Sequence, residues 1–163
     1  MSSCFDPFAL SFWKTIGVAI ACAAIVGFER QSRGKAAGMR TSILICLSTT
    51  VFVQLGSILI GGAGDPSRVV GQVVTGVGFL GGGVILSREG VVTGVTTAAV
   101  IWMLAAIGSV VAFGHFAAAF ILSLLTVVVL IGVEFLELTF DVLRQGVHHS
   151  EGSSEDHKKR RKK

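Results

Sequence analysis

Four groups of ionisable residues could carry chemistry, and each borders an apolar run: Glu29-Arg30, Asp65 with Arg68, Arg88-Glu89, and the series Glu134, Glu137 and Asp141. Opposite charges at such borders either anchor the chain at an interface by local pairing or mark a functional site. Glu29, Arg30 and Arg40 flank the short basic loop 29–40, whose far end opens a helix at Thr41-Ser42; another helix begins on the same side at Thr96-Thr97. Both helices turn the positive end of the dipole to that side. A carboxylate such as Glu29 could be held between them, or a bound anion could take its place. Glu134, Glu137 and Asp141 fall at i, i+3 and i+7, on one helical face. Mg²⁺ accepts a few carboxylates together with water, so these three are candidate ligands, with pairing to Arg144, Arg88 or the basic loop as their other use.

Enzyme chemistry finds little support, and the expectation is a protein that is not an enzyme and holds no cofactor. The glycine-rich run 76–83 lies inside an apolar stretch and precedes no Lys-Ser/Thr, so it is not a phosphate loop. His115 has no Cys or Asp nearby in sequence, and His148-His149 alone do not make a metal site. Cys4, Cys22 and Cys46 are too few and too scattered for a disulfide framework. Cys22 and Cys46 lie in apolar runs, where cysteine acts as a small hydrophobe.

The elements that must position these groups are membrane helices. The chain has 163 residues, 52% of them hydrophobic and 15% charged, with a mean hydropathy of +0.76. That is the composition of a membrane protein of one domain. Its glycines sit within apolar runs rather than in polar alternation, which favours a helical bundle over a barrel. The expected fold is all-α, with five spans at about 10–28, 41–60, 69–86, 95–113 and 116–135. Residues 1–143 form the membrane domain, and 144–163 form a cytoplasmic basic tail without fixed structure. Trp13 and Lys14 fit an interface at the start of the first span. Ser48, Thr49, Thr50 and Gln54 can bond to their own backbone or to a neighbouring helix. Thr93, Thr96 and Thr97 can cap the fourth span, and Trp102, near its middle, is expected to face protein.

The third span is expected at the centre of the bundle. Asp65 is a good N-cap, Pro66 suits the first helical position, and Ser87–Gly90 makes a tight turn out. Gly71, Thr75, Gly78 and Gly82 share one seam, widened by Gly76 and Gly83 and continued by Gly81, over which other helices can approach closely. Five crossings place the termini on opposite sides. All but Lys14 and Arg68 of the fourteen Lys and Arg then gather on one side. The positive-inside rule puts that side in the cytoplasm and the N-terminus outside.

In four blocks the chain resembles the MgtC/SapB family of bacterial inner-membrane proteins. The blocks are Gly27-Phe28-Glu29-Arg30; Ala37-Gly38-Met39-Arg40-Thr41; Asp65-Pro66-Ser67-Arg68 through Gln72 and Gly76 to Gly81; and Val92 through Gly94, Thr96-Thr97 and Trp102 to Gly108. The resemblance covers about residues 27–136. It implies multi-pass residence in the inner membrane and a role in adaptation to low magnesium. For some members it implies restraint of the F-type ATP synthase through membrane contacts. It also carries over Glu29, Arg30, Arg40, Asp65, Arg68, Gln72, Thr96 and Thr97 as functionally important positions. Virulence-type members add a soluble domain after the fifth span. Here a charged tail of about twenty residues follows, so the expectation is a short form without that domain.

Two functions compete. In the first, the protein acts by contact with other membrane proteins or with copies of itself, in the lipid bilayer and without nucleic acid. In the second, an oligomer forms a Mg²⁺ or other cation path past Gln72, Thr75 and the rim charges.

Overall fold

The computed structural model describes residues 6–59, 65, 67–88 and 91–139, of 137–139 the backbone alone. Among them are five helices: α1 (Leu10–Ser32), α2 (Met39–Leu59), α3 (Ser67–Gly83), α4 (Val95–Ala112) and α5 (Phe116–Thr139). Between α3 and α4, β1 (Leu86–Arg88) pairs antiparallel with β2 (Val91–Thr93), Ser87 opposite Val92. The all-α membrane bundle is therefore what forms, with a small hairpin where a turn was expected. The tip of that hairpin, Glu89-Gly90, and the glycine turn 61–64 lie outside the described residues, as does Pro66.

Four helices, α1, α2, α4 and α5, are long and apolar enough to cross a membrane. The third is shorter than expected. α3 stops at Gly83 after 17 residues, a length of about 25 Å. The residues from Val84 to Leu86 add at most about 10 Å, which brings the segment to the thickness of a hydrocarbon core of roughly 30 Å. α3 ends where it does because three consecutive glycines weaken it and because the hairpin closes back on it. Gly94 has φ +88°, and a Cβ there would overlap the Val84 carbonyl. Only glycine allows both the left-handed backbone and that approach.

At the other end of α3, Asp65 caps as its type predicts. One carboxylate oxygen accepts the Ser67 N–H at 2.9 Å, and the other accepts the Ser67 hydroxyl at 2.6 Å. α4 is not capped by threonine. Its N-cap is Gly94, without a side-chain bond, while the Thr93 hydroxyl reaches the Leu86 carbonyl in the hairpin. The turn between α4 and α5 is as short as expected: the N–H of Gly114 bonds to the Val111 carbonyl, and that of His115 to Val110.

The chain divides into two compact units, Met1–Val127 and Val128–Lys163. In the first, α2 lies against both α1 and α4, and it, not α3, is the central helix. Between lipid-embedded helices no hydrophobic force favours contact over lipid, so close packing and hydrogen bonds must supply it. Two glycines provide the closeness. A Cβ on Gly27 of α1 would lie 2.7 Å from the Met39 Cα, and one on Gly108 of α4 would lie 2.5 Å from the Cys46 carbonyl oxygen. The buried Thr50 hydroxyl lies 2.9 Å from the Cys46 carbonyl oxygen of its own helix and 3.0 Å from that of Gly108. Val26, Val53, Leu104, Ile107 and Val111 fill the space around these contacts.

α3 packs on α4, with Gly81 facing Ala98, and more lightly on α2, where Val69 lies against Gly56; Val77 is its buried side chain. Its other glycines do not serve this bundle. Gly71, Gly76, Gly78, Gly82 and Gly83 have nothing within 4 Å of a would-be Cβ, and Thr75 is exposed with its hydroxyl returned to the Gly71 carbonyl. Trp102 is also outward-facing, 56% exposed. Its position falls off the α4 stripe of Thr97, Leu104, Gly108 and Val111 that meets the bundle. In the second unit the described part of α5 is largely exposed and apolar, through Val128, Val129, Ile131, Val133, Phe135 and Leu136.

Candidate functional site

α1 continues four residues beyond its expected end, and that extension carries Glu29 and Arg30 with it. Both are buried, at 6% and 3% exposure. They sit where α1 ends and α2 and α4 begin. The loop that joins α1 to α2 is fixed by the Gln31 side chain, whose oxygen accepts the Met39 N–H at 3.2 Å. Directly behind it, Ser42 packs against Gly27 and is fully buried.

The two neighbouring charges do not pair with each other. The Glu29 carboxylate meets the Arg33 guanidinium at 2.7 Å, one turn further along α1. Arg30 turns about 100° away around the helix and donates from Nη2 to the Thr97 hydroxyl in the first turn of α4, at 3.0 Å. Glu29, expected as one of two possible occupants between the starts of α2 and α4, thus has its ion pair with Arg33 of its own helix. Arg30 reaches α4 instead, because position 30 follows Gly27 by three residues on the same face.

Three polar atoms here are buried and find no partner: Glu29 Oε2, Arg30 Nε and Ser42 Oγ. Buried polar groups are almost always bonded, so each such exception carries information. Arg30 is the most costly of them. A guanidinium kept from water requires a counter-charge or several hydrogen bonds. Among the described residues its bond is to a neutral hydroxyl, and the ion pair at this end belongs to Glu29 and Arg33.

The remaining expected positions are scattered. Arg40 and Thr96 are exposed beside this cluster without entering it, and Gln72 is exposed on α3. Asp65 and Arg68, expected to pair, are both exposed at the start of α3, where Ser67 takes the Asp65 carboxylate and the Arg68 N–H bonds to the Asp65 carbonyl. The two Ser67 bonds hold the Asp65 carboxyl below its ordinary pKa. Of the candidate magnesium ligands, Glu134 is described and partly buried, whereas the Glu137 side chain and Asp141 lie outside the described residues. No group of three His, Cys, Asp or Glu gathers into a metal-binding cluster among the described residues. Arg33 and Gly108 were not singled out from residue type. The i, i+4 spacing of Glu29 and Arg33 was a sufficient signal for the ion pair; a lone glycine in an apolar run gave none for the helix contact.

Apolar helices with a charged, buried junction at one end define a multi-pass helical membrane protein. Residues 16–138 match the MgtC family. The chain is 43% identical over 142 residues to an Escherichia coli K12 protein named "Putative magnesium transporter YhiD", covering 83% of this chain and 65% of that one. It is 41% identical over 103 residues to Protein MgtC of Brucella abortus, covering 59% and 43%. It is 43% identical over 94 residues to Protein MgtC of Salmonella typhimurium, covering 57% and 39%. The matched part is thus less than two thirds of each of these relatives. No solved structure matches. The chain belongs to the MgtC family of bacterial membrane proteins.

Proposed function

We propose that this chain serves magnesium homeostasis by contact with other membrane proteins, or with copies of itself, and not by catalysis. The magnesium link rests on the family and on the name of the E. coli relative. The contact mechanism rests on α3. Its glycines 71, 76, 78, 82 and 83 leave a strip with nothing against it among the described residues, although the chain's own close contacts use Gly27, Gly56 and Gly108. A strip of this kind lets a second backbone approach closely. A second copy of the chain would suit it, as would a larger membrane assembly such as the F-type ATP synthase. In this arrangement the N-terminus is outside, the basic loop 29–40 and the tail 144–163 are cytoplasmic, and Asp65, Arg68 and Gln72 flank the contact face. Arg40 and Thr96 sit at the cytoplasmic rim beside Glu29, Arg30 and Thr97.

Cation transport is the second possibility, favoured by the name of that relative. The two separate in one experiment. Contact regulation predicts that Gly78→Leu with Gly82→Leu leaves the protein folded but abolishes crosslinking through α3 and growth at limiting Mg²⁺, while liposomes show no flux. Saturable Mg²⁺ flux, lost in Glu29→Gln or Asp65→Asn, would replace contact by transport.

A further inference from the structure

The junction of α1, α2 and α4 gathers buried donors and an acceptor without hydrogen-bond partners among the described residues. The first intrahelical bonds run from Ser42 N–H to the Gly38 carbonyl in α2 and from Ala98 N–H to Gly94 in α4. The amides before them lack intrahelical partners, as at every helix start, and lie at the positive end of the dipole, although the Met39 N–H is taken by the Gln31 side chain. On its own that would mean little. Here, however, a guanidinium 3% exposed reaches the first turn of α4 through Thr97 with its Nε unpartnered, and the fully buried Ser42 hydroxyl in the first turn of α2 is also unpartnered. Both are donors, and no carboxylate pairs with Arg30 among the described residues. The third unpartnered atom, Glu29 Oε2, is an acceptor. It belongs to a carboxylate already neutralised by Arg33, so it repels an anion less than a free carboxylate would.

We propose that this junction binds a hydroxyl-bearing phosphate group, with the anionic oxygens on Arg30 and Ser42 and the hydroxyl donated to Glu29. Two sources share that chemistry: the headgroup of a polyol phospholipid such as phosphatidylglycerol, and hydrogen phosphate from solution. Either one supplies the anionic hydrogen-bond partner that Arg30 Nε lacks among the described residues, and Arg33, Lys35 and Arg40 nearby in the chain favour its approach. The site is separate from the α3 strip and stands or falls without it.

The test uses the full chain, delipidated and returned to nanodiscs of phosphatidylcholine alone or with phosphatidylglycerol, with or without inorganic phosphate at constant ionic strength. Near saturation, an occupant raises the Tm by about 5–10 °C. A rise with phosphatidylglycerol alone assigns the site to lipid, and a rise with phosphate in phosphatidylcholine assigns it to a soluble anion. Arg30→Gln removes the rise. If that variant does not fold, Ser42→Ala changes no charge and weakens half-saturation about tenfold, whereas Lys14→Gln at the opposite end of α1 leaves it unchanged. An equal Tm in all four conditions overturns the proposal. So does a rise that Ser42→Ala leaves intact, because that rise would come from general attraction of a basic chain to anionic lipid.

Discussion

Gly108→Ala tests whether the α2–α4 contact holds the bundle together. A methyl group at Gly108 would sit 2.5 Å from the Cys46 carbonyl oxygen and 3.0 Å from the Thr49 Cβ. Neither neighbour is the end of a flexible chain, so the helices must part by about 1 Å to restore ordinary contact. Overpacking of this kind costs about 1–3 kcal/mol. The separation also weakens the Thr50 bond to the Gly108 carbonyl, worth about 0.6 kcal/mol in a membrane protein. Against this, alanine favours a helix over glycine by about 1 kcal/mol. The net loss is about 0.6–2.6 kcal/mol, read as a shifted midpoint in an SDS titration of the purified protein followed by tryptophan fluorescence. The companion variant Gly78→Ala meets nothing within 4 Å. At dilutions where the protein is monomeric it should be neutral or stabilised by up to about 1 kcal/mol. If Gly108→Ala is as stable as the parent, or if both variants lose stability equally, the central contact is not where it is placed here.

Two further outcomes follow from the ends of α3. Asp65 has its carboxyl pKa lowered in the folded chain by Ser67. Its capping contribution is therefore complete above the ordinary carboxylate pKa and is lost as pH falls through the lowered one. Hydrogen exchange at the first amides of α3 should accelerate on acidification, and Asp65→Asn should flatten that dependence; identical profiles would remove the cap from the account. If α3 and the residues that follow it cross the bilayer, single cysteines at Ser3 and Ser150, in a chain otherwise free of cysteine, label from opposite sides. Labelling from one side means that only four helices cross.

The membrane class and the helices followed from the apolar runs, because a span must be long, apolar and internally hydrogen-bonded whatever surrounds it. The Asp65 cap could likewise be read locally, from one side chain and the amides just after it. The centre of the bundle could not. Glycine content pointed to α3, but it reports only that something can approach, not what does. Gly27 and Gly108, each alone among larger residues, prove to be the glycines against which the backbone of α2 lies. The site was half visible for the same reason. The pairing of Glu29 with Arg33 is a matter of one helical turn, whereas the bond from Arg30 to Thr97 joins residues 67 positions apart and depends on how α1 and α4 meet.

The two sets of glycines have different consequences. Replacing Gly27 or Gly108 pushes the central helices apart, and every property of the protein then suffers together. Replacing Gly78 or Gly82 leaves that packing untouched, because no described atom lies within 4 Å of a Cβ placed there. A defect from the second pair must therefore arise outside the single chain, in a partner or a second copy. Arg30 adds a third class. It is buried at the meeting of three helices with no ion-pair partner among the described residues, so its replacement by a neutral residue of similar shape relieves a desolvation cost and should not unfold the bundle. A folded Arg30→Gln variant that has lost its response to phosphate or to phosphatidylglycerol would separate what this junction binds from what the bundle needs in order to stand.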